Sequence, residues 1–403
     1  MIKINLNAGI IFIGGFPPSI ARLAEYNYEV VRMLAKRVAT YDVNFTVLAN
    51  IPDVITRNPE VSSNILVLHT WYNATTLLLP LRLIFLRKSH SILILSFYHG
   101  LFGGSSVANF LSTILILITA KFLHYKVITI LHTFPESRKR TLKFFGKKLS
   151  TLYYLGTFLT TVLILTLSTK VLLLVRSYVK ILCNIFPHFC HKIKYIPHGV
   201  PVYVRYNSKK LESKEILTFA FVGLISSRKN LDVVFQALSK IQSLLNIKRI
   251  KFLIIGAPHP YQFHETFSLI KKLTHNNIYV EYVGYLGTKD LQEYINRYVD
   301  LVFLPYECPT GTSGIANIIA PSATPIIMPY FIEYRELFEE GYGIKFYNIN
   351  SNDSKQSLVK AIYDVLTNHK EYEFLSKRTD LFVQSNDIAK VSLELLKTIF
   401  SSK

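Results

Sequence analysis

Short apolar runs alternate with longer segments of helical periodicity along nearly the whole chain. Ala8–Ile13 reads as a buried strand broken by Gly14, Gly15, Pro17 and Pro18, and Ala24–Lys36 as the helix after it. Asn44–Ala49, Ile65–His69, Ser91–Phe97 and Val127–Leu131 are the next strands, with a helix over Phe110–Leu123. A second alternating set follows, with strands Thr218–Val222, Lys251–Ile255, Tyr279–Tyr282, Leu301–Leu304 and Thr324–Met328 and a clear helix over Leu231–Leu245. Strands that alternate with helices and are apolar throughout belong to parallel sheets covered on both faces. The pattern therefore predicts an α/β protein of two Rossmann-like, doubly wound domains, over residues 1–200 and 201–383, with an amphipathic helix over 384–403. Ile196-Pro197-His198-Gly199-Val200-Pro201, rich in proline and followed by a polar stretch, marks the boundary.

Two apolar stretches are long enough to raise the question of membrane spans. Leu152–Val175 divides at Ser168-Thr169-Lys170 into a helix and a buried strand, with another helix from Ser177. Phe110–Ile130 divides in the same way at His124-Tyr125-Lys126. Buried helix-plus-strand pairs are the preferred reading, and one or two true spans are the alternative. No leader is read at the start, because Met1–Asn7 is polar and Ala8–Phe16 is short and glycine-rich.

Charge changes this picture. The chain carries a net +20, yet residues 1–200 hold 22 Lys+Arg against 6 Asp+Glu while the remainder holds 24 against 20. A basic half that is also the greasier half favours an anionic membrane surface over nucleic acid. No zinc-finger spacing or aromatic RNA-binding motif supports the latter. Arg138, Lys139, Arg140, Lys143, Lys147 and Lys148 interleave with Phe144 and Phe145, a pattern for an interfacial helix with cations among the headgroups and aromatics beneath. Cys183, Cys190 and Cys308 read as three scattered thiols, which suit a reduced compartment and argue against a disulfide framework. The location expected is the cytoplasm, peripheral on the inner face of the membrane.

Chemistry collects in loops that follow strands. Between the strand ending at Pro305 and the one starting at Pro325 lies a glycine-spaced polar loop, Glu307–Gly314, running into a short helix. Such backbone suits a sugar or a phosphate. Phe221-Val222-Gly223-Leu224-Ile225-Ser226-Ser227-Arg228-Lys229-Asn230 has the same layout, with Arg228 and Lys229 near a helix start where charge and dipole favour a pyrophosphate. His69, His99 and His132 stand after neighbouring strands, able to bond a ligand hydroxyl or to act as acid or base. No carboxylate or thiolate set accompanies them, and no D-x-D pair occurs, so a metal site is not expected.

Taken in order, these motifs resemble glycosyltransferase family 4, retaining enzymes of the GT-B fold (glycosyl transferases group 1). Gly14–Ser19 through Glu25-Tyr26 is similar to the family's first loop and helix, and VITILHT (Val127–Thr133) to its strand bearing the active-site histidine. IPHGV (Ile196–Val200) resembles its linker hallmark, and FVGLISSRKNLD (Phe221–Asp232) its pyrophosphate loop. Val283-Gly284-Tyr285 with Asp290-Leu291 resembles its base-binding strand and next helix, and Ser385–Leu396 its last helix, which crosses back to the N-terminal domain.

The resemblance implies two domains facing across a cleft. The first binds the acceptor; the second binds a nucleotide-sugar donor, UDP- or GDP-linked, with metal-independent chemistry and no cofactor beyond that substrate. His132, Lys229 and Glu307 become the catalytic candidates. Gly223, Arg228, Lys229, Gly256, Gly284, Tyr285, Glu307, Gly311, Thr312, Ser313, Gly314 and Asn317 become the donor site. Gly15, Phe16, Arg22 and His99 become the acceptor and phosphate loop. Three departures stand out. The glycine-rich turn reads Ala21-Arg22, Leu224 occupies the usual arginine position, and the E-x7-E pair reads Thr310 and Ile318. The expected activity is hexose transfer to a lipid-linked or glycan acceptor with retention of configuration. The alternatives are a non-catalytic protein that binds glycolipid or a partner, and transfer to a protein acceptor.

Overall fold

A computed structural model describes residues 9–19, 22–41, 43–51, 63–98, 101–102, 106–133, 147–211, 215–226, 229–258, 278–307, 311–349 and 354–401. The chain divides into two compact units. The first takes in Met1–Gly199, Thr310–Thr312 and Ile388–Lys403; the second takes in Val200–Pro309 and Ser313–Asp387.

The first unit holds a seven-stranded sheet, β1 (Gly9–Ile13), β2 (Phe45–Asn50), β3 (Ile65–Trp71), β4 (His90–Phe97), β5 (Lys126–Leu131), β6 (Lys170–Leu173) and β7 (Ile193–Tyr195). Its spatial order is β3-β2-β1-β4-β5-β6-β7, with parallel pairing throughout. The order reverses between β1 and β4, and a crevice outside the strand ends opens at such a point. β1 shows why the sequence folds this way. Ile10 and Phe12 enter the core on one face, and Ile11 and Ile13 enter the core on the other.

The second unit repeats the plan with six strands, β8 (Ile216–Val222), β9 (Arg249–Ile255), β10 (Ile278–Gly284), β11 (Leu301–Phe303), β12 (Ile326–Pro329) and β13 (Ile344–Tyr347). The order is β10-β9-β8-β11-β12-β13, again parallel, and it reverses between β8 and β11. The edge strands β7 (IKY) and β13 (IKFY) are absent from the sequence reading, because a lysine interrupts their few apolar residues, unlike the equally short but wholly apolar β11.

The long apolar stretches resolve into helix and strand. Ser106–Phe122 is a helix followed by β5, and Lys147–Leu167 is a helix followed by β6 and then the helix Arg176–Ile185. Among the described residues no helix is long and apolar enough to cross a membrane. The basic stretch 138–146 lies outside the described residues; the helix begins at Lys147.

The thiol reading needs a correction. Cys183 and Cys190 form a disulfide, with Cα atoms 4.8 Å apart. The helix Arg176–Ile185 ends at Phe186, and the 3-10 turn Pro187–Lys192 doubles the chain back against it. That reversal brings together two cysteines seven residues apart. Thiol count no longer argues for a reducing compartment.

The last helix, Ile388–Phe400, returns to the first unit. Its residues Ile388, Val391, Leu395 and Ile399 join one face of that unit's core. Arg37 donates to the Ala389 carbonyl and, at 3.0 Å, to Ser392 Oγ. At the other end Lys126 Nζ reaches the Ser401 carbonyl at 2.7 Å, and Lys170 Nζ reaches the Thr398 carbonyl at 3.2 Å. Ammonium groups at a helix C-terminus satisfy its orphan carbonyls and oppose its dipole.

Two glycines separate tight packing from mere sequence. A Cβ on Gly343, just before β13, would sit 1.7 Å from the Leu375 carbonyl oxygen, whereas one on Gly156, inside the helix Lys147–Leu167, meets nothing within 4 Å. Gly343→Ala is expected to destabilise the second unit by about 2–4 kcal/mol, as backbone must shift. Gly156→Ala is expected to stabilise by about 0.5–1 kcal/mol through helix propensity. Thermal denaturation midpoints should therefore move in opposite directions.

Candidate functional site

In the first unit a chain of polar groups runs across the switch point. Gly14 and Gly15 follow β1, Ser96 lies near the end of β4, and His132 follows β5 directly. Asn27, on the helix Arg22–Val38, is fully buried and donates through Nδ2 to the Gly15 carbonyl at 2.8 Å. That bond fixes the amide, so its Oδ1 accepts from Ser96 Oγ at 2.7 Å. Ser96 has a single proton and spends it on Asn27. Its contact with His132 Nε2, at 2.8 Å, must then be a bond donated by the ring. His132 is held as the Nε2–H tautomer, with its lone pair on Nδ1, ready to accept from a hydroxyl.

Electrostatics agree with this. Desolvation, with help from neighbouring His198, pushes the His132 pKa down to about 3. His198 is itself lowered to about 4 by burial, although a bond to the Gly199 carbonyl works the other way. The Tyr26 ring lies between them, 5.6 Å from the His132 ring at an edge-on angle and 4.2 Å from that of His198. At neutral pH both imidazoles are uncharged. Space here is limited: a Cβ on Gly14 would come 2.9 Å from Asn27 Nδ2, and one on Gly311, with φ +153°, would come 2.5 Å from the His132 carbonyl oxygen.

In the second unit three adjacent strands end in glycine: Gly223 after β8, Gly256 after β9 and Gly284 closing β10. All three have positive φ, and a Cβ on Gly256 would come 1.9 Å from the Gly223 carbonyl oxygen. The loops therefore pack backbone on backbone. Gly284 meets nothing within 4 Å, so its surface is open.

The switch point between β8 and β11 brings together two side chains from different loops. Lys229 follows β8 in a turn closed by its N–H on the Ser226 carbonyl at 3.1 Å, and its Nζ lies 4.2 Å from the centre of the Tyr306 ring. Tyr306 follows β11, and burial pushes its hydroxyl up to about 12, with the Ser313 contact opposing. The Tyr306 hydroxyl lies 3.4 Å from Ser313 Oγ, which caps the helix Gly314–Ile319 by accepting from Ala316 N at 3.2 Å. Asn317 is fully buried, gives Nδ2 to the Ser313 carbonyl at 2.9 Å, and leaves Oδ1 with no partner among the described residues. Thr312 Oγ1 is likewise buried and unpartnered. Orphaned buried acceptors invite a ligand donor, because leaving them unpaired costs about 1–3 kcal/mol each. Thr312 clusters with the first unit and Asn317 with the second.

Other expected residues fare differently. Glu307 is half-buried after β11, and Tyr285 is half-buried after β10. Ile318, in the place of a family carboxylate, is 1% exposed and packed in the core, so it offers a ligand nothing. Phe16 needs correcting as a loop contact. Its ring is 1% exposed and packs edge-on against Tyr28, because an apolar ring at the β1 exit gains more from the core. Arg22 ion-pairs with Glu25 at 2.6 Å on its own helix. His69 lies within β3, exposed, and bonds the Asn50 carbonyl at 2.7 Å. In the strand order it stands four strands from β5, about 19 Å by ordinary strand spacing, so it does not join His132. His99, Arg228, Arg138, Lys139, Arg140, Lys143, Phe144 and Phe145 lie outside the described residues, as do the side chains of Lys147 and Lys148. Among the described residues no cluster of three His, Cys, Asp or Glu could hold a metal ion.

Residues 205–381 match the family model for glycosyl transferases group 1. This segment belongs to that family. It contains Lys229, Tyr306, Glu307, Ser313 and Asn317, whereas the His132 network lies outside it. Solved structures agree on the fold over nearly the full length. Sucrose-phosphate synthase from Thermosynechococcus elongatus superposes with a TM-score of 0.71 at 13% identity, covering 98% of this chain and 100% of that one. WaaG, a glycosyltransferase involved in lipopolysaccharide biosynthesis, gives 0.70 at 12%, covering 97% and 99%. Anabaena Alr3699/HepE in complex with UDP and glucose gives 0.68 at 11%, covering 98% and 100%. At such identities the likeness is one of fold, and that fold is GT-B. No curated protein matches the chain significantly in sequence.

Sequence reading missed Asn27, Ser96 and Tyr306. A lone Asn on a helix or Ser on an apolar strand gives no signal until topology joins them. Tyr26 and His198 stood in the quoted motifs without a role; the structure stacks them.

The neutral histidines make stability depend on pH. The unfolded chain protonates both near pH 6.5, while the folded chain holds them near 3 and 4. The unfolded state thus binds more protons as pH falls, so their contribution is complete above about 6.5 and is lost progressively below it. The thermal midpoint should drop from pH 6.5 toward pH 4, and His198→Gln should flatten that slope.

Proposed function

We propose that the protein is a membrane-associated glycosyltransferase that moves a hexose from a nucleotide sugar to a lipid-linked or glycan acceptor with retention of configuration. The observation that carries the reading is the group 1 segment holding Lys229 at a β8 loop beside the glycine-ended strands. Lys229 supplies the charge for a donor pyrophosphate and stabilises the leaving nucleotide. The glycine backbone at Gly223, Gly256 and Gly284, with Tyr285, receives the nucleoside. Glu307, Ser313, Gly314 and Asn317 contact the sugar and ribose. UDP is the first nucleotide to test, since Alr3699/HepE was solved with UDP and with UDP-glucose.

His132 works as a neutral acceptor. With Nε2–H tied to Ser96, its Nδ1 receives a hydroxyl of the donor sugar or of the acceptor. A protein base is not needed if the leaving phosphate takes the acceptor's proton, and a metal is not needed if Lys229 carries the charge. The basic, apolar first unit supports a lipid-linked acceptor and a peripheral position on the membrane inner face.

The second reading, a non-catalytic GT-B protein, draws on Thr310 and Ile318, which stand where the family has its carboxylate pair. A thermal-shift screen of UDP-, GDP- and ADP-sugars separates the two. A true donor at a hundred times its Kd adds about 2.7 kcal/mol of stability. Transfer to a lipid-linked acceptor should fall by about a hundredfold or more in Lys229→Ala, and His132→Ala should also slow it. A donor that binds while wild type and both variants are equally inert would leave only the binding reading; a chain shifted by no sugar nucleotide would end the transferase reading.

A further inference from the structure

Three helices of the first unit cover the same face of its sheet: Leu79–Leu86, Ser106–Phe122 and Lys147–Leu167. The middle one packs beside each of the others. Their inward residues, such as Leu83, Leu117 and Leu165, are buried in one core. Many of their outward residues are apolar as well. On the middle helix Leu111, Leu115, Ile118 and Phe122 are all exposed, and their spacing places them on one stripe. That helix is about 25 Å long by its rise. Leu81 and Phe85 extend the surface on one flank, and Leu155 and Leu159 on the other. Phe85 is 78% exposed and Phe122 79%. Scattered exposed leucines need no explanation, but a contiguous apolar face across three helices marks a docking surface.

Charge identifies the occupant. The three helices contain no Asp or Glu at all. Exposed Arg82 and Lys121 lie on these helices, and exposed Lys88 follows the first of them. A second copy docked on this face would bring like cations together with no carboxylate on these helices to pair with them. An anionic lipid bilayer instead offers hydrocarbon to the leucines and phenylalanines and negative headgroups to the cations. We infer that this three-helix face inserts shallowly into the surface of an anionic membrane. The inference rests on the proposed peripheral position at a membrane and names the surface that makes the contact; it draws on no part of the donor-side reading.

The test is co-sedimentation of the full chain with two kinds of vesicle. One is phosphatidylcholine alone; the other adds about 30% phosphatidylglycerol, enough to give an appreciable negative surface potential. Wild type should bind the anionic vesicles, and Phe85→Asp/Phe122→Asp should lower the partition coefficient at least tenfold. The thermal midpoint should hold, since both side chains are exposed. Phe122→Trp gives a second readout that does not depend on lost binding. The chain has one native tryptophan, Trp71, and it is buried, so the new indole should shift to the blue on vesicle addition and be quenched by brominated acyl chains. Unchanged binding of the double variant, an introduced indole that stays unquenched, or wild type that ignores both vesicles would overturn the inference. So would a wild-type dimer that the double variant converts to monomer without any vesicle binding. Donor thermal shifts in vesicle-free solution report on the transferase reading separately.

Discussion

A parallel sheet must be covered on both faces, because its crossover connections lay helices on each side and leave no strand face to water. This constraint explains much of the chain. Strands such as β1 and β8 send alternate residues into opposite cores and so carry little polar chemistry along their length. Polar groups are concentrated at the strand exits, where the backbone leaves the sheet. The reversals of strand order, between β1 and β4 and between β8 and β11, decide which exits stand next to a crevice.

Within that frame the two units handle polarity differently. The first buries a line of neutral hydrogen bonds from Gly15 through Asn27 and Ser96 to His132, each donor matched to an acceptor. A satisfied buried network is rigid and fixes a tautomer; burial then keeps the ring uncharged. The second collects positive charge and open backbone: Lys229 over the Tyr306 ring, glycines at three adjacent strand ends, and Asn317 with an unused acceptor. A neutral acceptor in one unit and a cation with bare backbone in the other are complementary chemical tools for handling hydroxyls and phosphates.

The sequence alone determined the two α/β sheets and the strand-exit loops that hold Gly223, Lys229, Glu307 and His132. Hydrophobic period is a local property, and glycines or prolines punctuate it wherever the backbone must turn. It also divided the two long apolar stretches into helix and strand, because Ser168-Thr169-Lys170 and His124-Tyr125-Lys126 interrupt them at the right places. Only the tertiary structure decided the rest. Asn27, Ser96 and His132 lie on three separate elements, so nothing local couples them. Phe16 was drawn into the core, and Cys183 met Cys190 once a turn reversed the chain. The stripe of Leu111, Leu115, Ile118 and Phe122 looked like core in the sequence. The fold alone leaves it facing outward, because one face of that helix already fills the space above the sheet.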